Sequence, residues 1–382
     1  MKHGGGVLLA VVLVVCASLG RWNMEGLPAK RWRGEAPKPS FEYCPDGLCS
    51  QIHLFAGMIR GEPDGAARYL HWIRRSHQSS TLLVDVLAGS LSAAGIPPVG
   101  AFIVVSTLAS LGLVLLLHRL LGELFPENAG ARTFGLCCFL MHPATLRCFT
   151  RPQTDALMAF FALACVFLVR RAATRATPGL WALLVLSQSA ACFVKIHALW
   201  LLGLAPLVAW MHGCRGRLLF RVLAFSCVIP AIVWISVFHG LELFPTIGNA
   251  WNYKGAFYGQ FTGSVILALV LATILPLLFL AARRISRTPS WAWMLVAGFA
   301  GILVVSRIPP LVRFQYPMLA PLVVIAVTGL MAGVQRPPRW AWMVPGWFAA
   351  ISLSLVAIQL YRSFIGPTRD WSPVDGWLVF LL

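Results

Sequence analysis

Apolar stretches long enough to cross a bilayer recur along most of this 382-residue chain, and nothing else constrains its fold as strongly. They fall near residues 6–19, 96–117, 133–148, 155–170, 178–194, 197–211, 218–238, 263–282, 290–306, 317–334 and 340–360. Short basic loops punctuate them: Arg170, Arg171 and Arg175; Arg215, Arg217 and Arg221; Arg283, Arg284 and Arg287; Arg336 and Arg339. Cations gathered in short loops mark the cytoplasmic side. The net charge of +18 therefore reports topology, and its placement argues against nucleic acid as a partner. Only 12% of residues are charged, where a soluble domain carries roughly 25%. Mean hydropathy is +0.77.

Basic loops also fix parity. About 37 residues separate Arg132 from Arg170, room for two crossings of roughly 20 residues each. That segment reads as a hairpin whose outer tip is Arg147 to Asp155. From Arg175 to Arg215 the same count gives a second hairpin, or a re-entrant segment, with its tip near Lys195. The expectation is an all-α polytopic membrane protein forming a single membrane domain over 1–382. It has about eleven transmembrane helices, an inner N-terminus and an extracytoplasmic tail at 362–382. The first apolar run reads as an uncleaved helix or as a signal peptide, and the many later spans favour the helix.

Residues 20–95 form the first extracytoplasmic loop. Ile52, Phe55, Ala56 and Ile59, then Ala66, Tyr69, Leu70 and Ile73, repeat at helical spacing. They predict amphipathic helices in the interface, or a small soluble cap. A second outer loop at 239–262 is rich in Gly and aromatics, and a third spans Arg307–Gln315. Cys44 and Cys49 flank a turn in C-P-D-G-L-C. In an oxidising compartment that pair suits a disulfide, with a metal site the weaker reading.

Five cations oppose the topological bias. Arg147, Arg151, Lys195, Arg307 and Arg313 all fall at outer helix ends, where they suit the phosphate of a lipid. Each one alone reads equally well as a snorkelling side chain. Asp155 starts an apolar run, so it caps a helix or lines a site. Asp46 and Asp64 each sit in Pro-Asp-Gly, a turn signature. Glu42 and Asp85 are further candidates, and Asp85 is set among apolar residues. There is no H-E-x-x-H, G-x-S-x-G or P-loop. No cofactor is indicated, and a divalent metal stays open.

Cys44-Pro45-Asp46-Gly47, Thr154-Asp155-Ala156-Leu157 and Arg313-Phe314-Gln315-Tyr316-Pro317 through Pro321 resemble motifs of the GT-C membrane glycosyltransferases. Family 39 is the nearest in layout, with its protein O-mannosyltransferases and aminoarabinose transferases. The acidic pair of that family is here Asp46 followed by Gly47. The resemblance implies a GT-C-like fold in the bacterial inner (plasma) membrane, with an extracytoplasmic active site. It implies transfer, with inversion, of a sugar from a polyprenyl-phosphate donor to a hydroxyl on a glycan, lipid or protein acceptor. In that scheme Asp46 is the base, with Glu42, Asp64 or Asp85 as alternatives, and Asp155 stabilises the sugar. Arg147, Arg151, Lys195, Arg307 and Arg313 hold the donor phosphate. Two other readings remain: a transporter or flippase of a lipid-linked sugar, and a non-catalytic membrane subunit. Charge concentrated at one face and the lack of an internal repeat disfavour the transporter.

Overall fold

The computed structural model describes residues 48–75, 81–150, 154–175, 177–245, 264–282, 286, 288–305 and 315–365. Among them every regular element is helical. Three helices are long and apolar enough to cross a membrane: Pro98–Leu124 (α4), Thr154–Thr174 (α7) and Gly216–Gly240 (α10). Eight apolar stretches of 10–17 residues accompany them. The count of about eleven crossings is thus an expectation beyond these three, and its first run, 6–19, lies outside the described residues.

Among the described residues three short helices precede α4: Leu48–Ile59 (α1), Gly65–Arg75 (α2) and Leu82–Ala93 (α3). Ile52 and Ala56 are buried on α1, and Tyr69 and Ile73 on α2, as the spacing predicts. At the ends of those faces Ile59 and Ala66 are exposed. The α1–α2 turn relies on Gly61 (φ 71°), whose conformation glycine adopts without strain. Its successor Glu62 donates its N–H back to Gly57 O at 3.0 Å.

The span expected over 133–148 is two helices, Ala129–Leu140 (α5) and Pro143–Thr150 (α6). Pro143 has no N–H, and its ring crowds the carbonyl one turn back, which favours ending α5 before it. His142 caps the new start, its Nδ1 accepting from Ala144 N at 3.1 Å. After α7 come Pro178–Cys192 (α8) and, beyond a 3₁₀ turn at Ile196–Leu199, Trp200–Met211 (α9). Thr177 starts α8 by accepting from Leu180 N at 3.3 Å. α10 contains one π turn, Ala224–Val228, where buried Ser226 donates to Val222 O at 2.6 Å. Ser264–Ala281 (α11), Ser290–Val305 (α12), Tyr316–Leu330 (α13) and Met343–Ile365 (α14) follow.

α7 and α13 form the centre. α7 packs against α4, α8, α9 and α13, and α13 also meets α5, α11 and α12. Every residue of α13 except Thr328 is buried. A satellite core of Tyr69, Ile73, Leu82, Phe238 and Leu243 joins α2 and α3 to the end of α10. Gly329 lets α13 touch backbone: a Cβ there would lie 2.7 Å from Ala281 O and 2.8 Å from Leu280 O. No flexible side chain stands in the way to yield. Gly329→Ala is therefore expected to destabilise the chain by about 1–3 kcal/mol, read as a lowered Tm of the purified protein.

Candidate functional site

The first turn of α7 and the α8–α9 turn converge on one buried ion pair. Lys195 Nζ donates to Asp155 Oδ1 at 2.9 Å, with side-chain exposures of 9% and 4%. Lys195 stands in extended backbone before the 3₁₀ turn, which aims its side chain across the bundle. Removing two charges from water costs several kcal/mol each, so such a pair persists only when both partners are present.

α3 docks beside this pair. Leu83 N donates to Phe193 O at 3.0 Å, two residues before Lys195. Two residues after Leu83, Asp85 is fully buried. Its Oδ2 accepts from Tyr69 Oη at 2.7 Å and, in a short contact, from Gln51 Nε2. Its Oδ1 has no hydrogen-bond partner among the described residues. Burial pushes the Asp85 carboxyl up to about 7 against the two hydrogen bonds that favour its charged form. Burial, followed by the neighbouring Asp85 charge, raises the Tyr69 phenol further above its ordinary value. Thus α1 and α2 each send one polar side chain to a single carboxylate oxygen of α3.

A third group of polar contacts ties α6 to the start of α13. His142 Nε2 lies 3.3 Å from Thr273 O, and Thr273 Oγ1 donates to Gln315 Oε1 at 3.0 Å. Because Nδ1 accepts from Ala144 N, Nε2 is the ring nitrogen that donates. Next to Gln315, Tyr316 Oη reaches Ser110 Oγ at 3.5 Å, and its ring lies 5.8 Å from Phe139. Arg147 lies on α6, which packs against α4, α13 and α14. α6 and the Gln315–Tyr316 start of α13 therefore come to the same end of the bundle.

Several sequence candidates stand apart from these contacts. Glu42, Cys44, Asp46, Arg151, Arg307 and Arg313 lie outside the described residues, and Arg147 is described by its backbone alone. Cys49 is disulfide-bonded, while Cys137, Cys138, Cys165, Cys192, Cys214 and Cys227 are free thiols. Asp64 occupies an exposed turn at φ 58°, its carbonyl accepting from Arg68 N at 2.8 Å. Asp155 and Lys195, assigned separately to sugar and phosphate, are each other's partner. Gln51, Tyr69, His142 and Thr273 were not candidates in the sequence. Tyr69 looks there like one more member of an apolar face, and no spacing links it to Asp85. Among the described residues no three His, Cys, Asp or Glu side chains gather closely enough to hold a metal.

No family model matches this chain, and no curated protein matches it. One similar solved structure is the crystal structure of the Archaeoglobus fulgidus oligosaccharyltransferase in complex with zinc and sulfate. It is 14% identical with a TM-score of 0.47, over 97% of this chain and 57% of that one. A likeness at that level assigns neither family nor activity.

Two outcomes test the geometry. Lys195→Met strands a buried carboxylate and is expected to cost about 3–5 kcal/mol of stability. Adding Asp155→Asn recovers much of that loss, and a double-mutant unfolding cycle reads the coupling. For Asp85 the folded-state value lies above the ordinary 3.8. Its contribution is fully present below about pH 4 and is lost as pH rises toward 7, by about 1.4 kcal/mol per unit of displacement. Asp85→Asn, which stays neutral, is expected to flatten that stretch of the stability–pH curve.

Proposed function

We propose that this chain is a glycosyltransferase that moves a sugar from a polyprenyl-phosphate donor to an acceptor hydroxyl, with inversion, at the extracytoplasmic end of the bundle. One observation carries the reading: the buried Lys195–Asp155 pair at the end where α3, α6 and the first turn of α13 also meet. Ionisable groups inside a membrane bundle are expensive, and their usual reason is chemistry on a substrate.

In this reading the acceptor hydroxyl attacks the anomeric carbon from the side opposite the phosphate. The carbon–oxygen bond to the lipid phosphate breaks, and that phosphate leaves with the electron pair. A carboxylate takes the hydroxyl proton. Asp46 is the first assignment, and Glu42 and Asp64 are alternatives. Asp85 suits the task less directly, since both Tyr69 and Gln51 hold it within the first-loop helices. Asp155 stabilises positive charge developing on the sugar. Arg147, Arg151, Arg307 and Arg313 receive the departing phosphate. Lys195 joins them when a donor phosphate competes with Asp155 for its ammonium. Paired with each other, both charges are satisfied and held in position before a donor arrives.

Purified protein incubated with labelled polyprenyl-phosphate sugars and candidate acceptors tests the assignment. Donor consumption with transfer to a hydroxyl is the expected result. Asp46→Asn is expected to lower it by ~10²–10⁴ without changing membrane insertion. Counterflow of the lipid-linked sugar in proteoliposomes, with no transfer, rejects the reading in favour of a flippase.

A further inference from the structure

The opposite end of α7 carries a second charged cluster that sugar transfer does not use. Arg170 and Arg171 lie about 15 and 16 residues beyond Asp155, roughly 23–24 Å along the helix at 1.5 Å per residue. Glu123, at the end of α4, faces both: Arg170 Nη1 at 3.6 Å and Arg171 Nη2 at 3.8 Å. Neither contact reaches hydrogen-bond length. Arg170 Nη1 is buried and lacks a hydrogen-bond partner among the described residues.

Two more guanidinium groups raise the imbalance. Arg175 lines the same space. Arg119 sits 5.2 Å from the centre of the Phe167 ring, which Arg171 also covers at 4.8 Å. Three arginines, Arg170, Arg171 and Arg175, thus share one space with a single carboxylate, and Arg119 adds a fourth positive charge across the Phe167 ring. Between them opens a cavity of about 530 Å³, lined by Glu123, Arg170, Arg171, Thr174, Arg175 and Leu180 among others. Arginines that only mark topology extend singly into water. Here they border a concave space within the size range of small-molecule sites. The Thr174 hydroxyl is already used, donating to the Arg170 and Arg171 carbonyls, while Thr177 accepts from Leu180 N and keeps its own O–H. The guanidinium N–H groups are the charged donors the cavity offers a ligand.

We propose that this cavity binds a phosphate-bearing anion, held by Arg170, Arg171 and Arg175 at the end of the bundle remote from Asp155. A guanidinium offers two parallel N–H donors to a phosphate's oxygens, and an anion here offsets charge that Glu123 alone leaves uncompensated. The anion is a membrane phospholipid headgroup or a soluble phosphate.

The test uses the purified full chain in a neutral detergent, titrated with inorganic phosphate by calorimetry. In parallel it is mixed with phosphatidylglycerol or phosphatidylcholine, and retained lipid is counted by native mass spectrometry. Saturable binding of phosphate or of phosphatidylglycerol is expected. Arg171→Gln combined with Arg175→Gln weakens it at least tenfold. Arg336→Gln leaves it unchanged; its neighbour Gln335 accepts from Asn128 at the start of α5, which places it at the same end and outside the cavity. Binding of inorganic phosphate assigns a soluble anion. Retention of phosphatidylglycerol over phosphatidylcholine, without phosphate binding, assigns a headgroup. Equal weakening in both variants, or no saturable binding of either anion, overturns the proposal. Should the double glutamine variant unfold, Arg171→Lys with Arg175→Lys keeps the charge and loses the planar fork. A several-fold weakening is then expected, and unchanged binding overturns the proposal equally.

Discussion

An ammonium and a carboxylate forty positions apart in sequence hold each other inside the bundle, and much of the surrounding architecture answers to that contact. α7 must begin where Asp155 reaches Lys195. The chain between α8 and α9 must leave helical geometry to turn Lys195 inward, which it does in extended backbone followed by a 3₁₀ turn. α3 then rests on that same turn through Phe193 O. If the pair were absent, the α8–α9 connection would need no interruption, and the first-loop helices would lose the ledge they sit on.

The two ends of α7 solve opposite electrostatic problems. At its start an acid faces the positive end of the helix dipole and a lysine. At its finish Arg170 and Arg171 meet the negative end, where cations are favoured, and Glu123 offsets part of their charge. The residues between are apolar, and the buried face of the helix carries the small side chains Ala156, Ala159, Ala162 and Ala164. Small side chains let α4, α8, α9 and α13 approach closely, which is the means by which helices associate where lipid removes the hydrophobic drive. α13 uses the same device at Gly329.

Helix positions were largely legible in the sequence, because length and apolar composition decide them. The reading at 155–170 lies within Thr154–Thr174, and that at 178–194 meets Pro178–Cys192 closely. Interruptions were harder to see. Pro143 broke the expected run at 133–148, whereas Pro206 and Pro276 are accommodated inside α9 and α11. The difference lies in tertiary context, here His142 capping and the contact to Thr273, which periodicity does not contain. At the site, Asp155 and Lys195 stood out as charges in apolar surroundings. Their pairing did not, since nothing local links positions 155 and 195. Tyr69 and Gln51 were invisible for a related reason: a polar atom on an otherwise apolar face announces itself only when its partner is known.

The π turn at Ala224–Val228 sets the phase of α10. Such a turn holds one residue more than an α-helical turn, so everything after it is rotated by roughly 100° relative to an uninterrupted helix. Phe238 stacks on Trp234 at 4.6 Å and lies 6.1 Å from Phe193, and it fills the satellite core beside Tyr69 and Leu82. The extra residue thus works as a phase shifter. After it the helix still packs on α8, and its last turn brings Phe238 to α2 and α3. Deleting one residue between 224 and 228 would keep the span apolar and nearly as long, yet would swing Phe238 away from Phe193. The alignment of the outer layer with the Lys195 turn is therefore written in a count of residues inside the membrane, remote from any charge that the alignment serves.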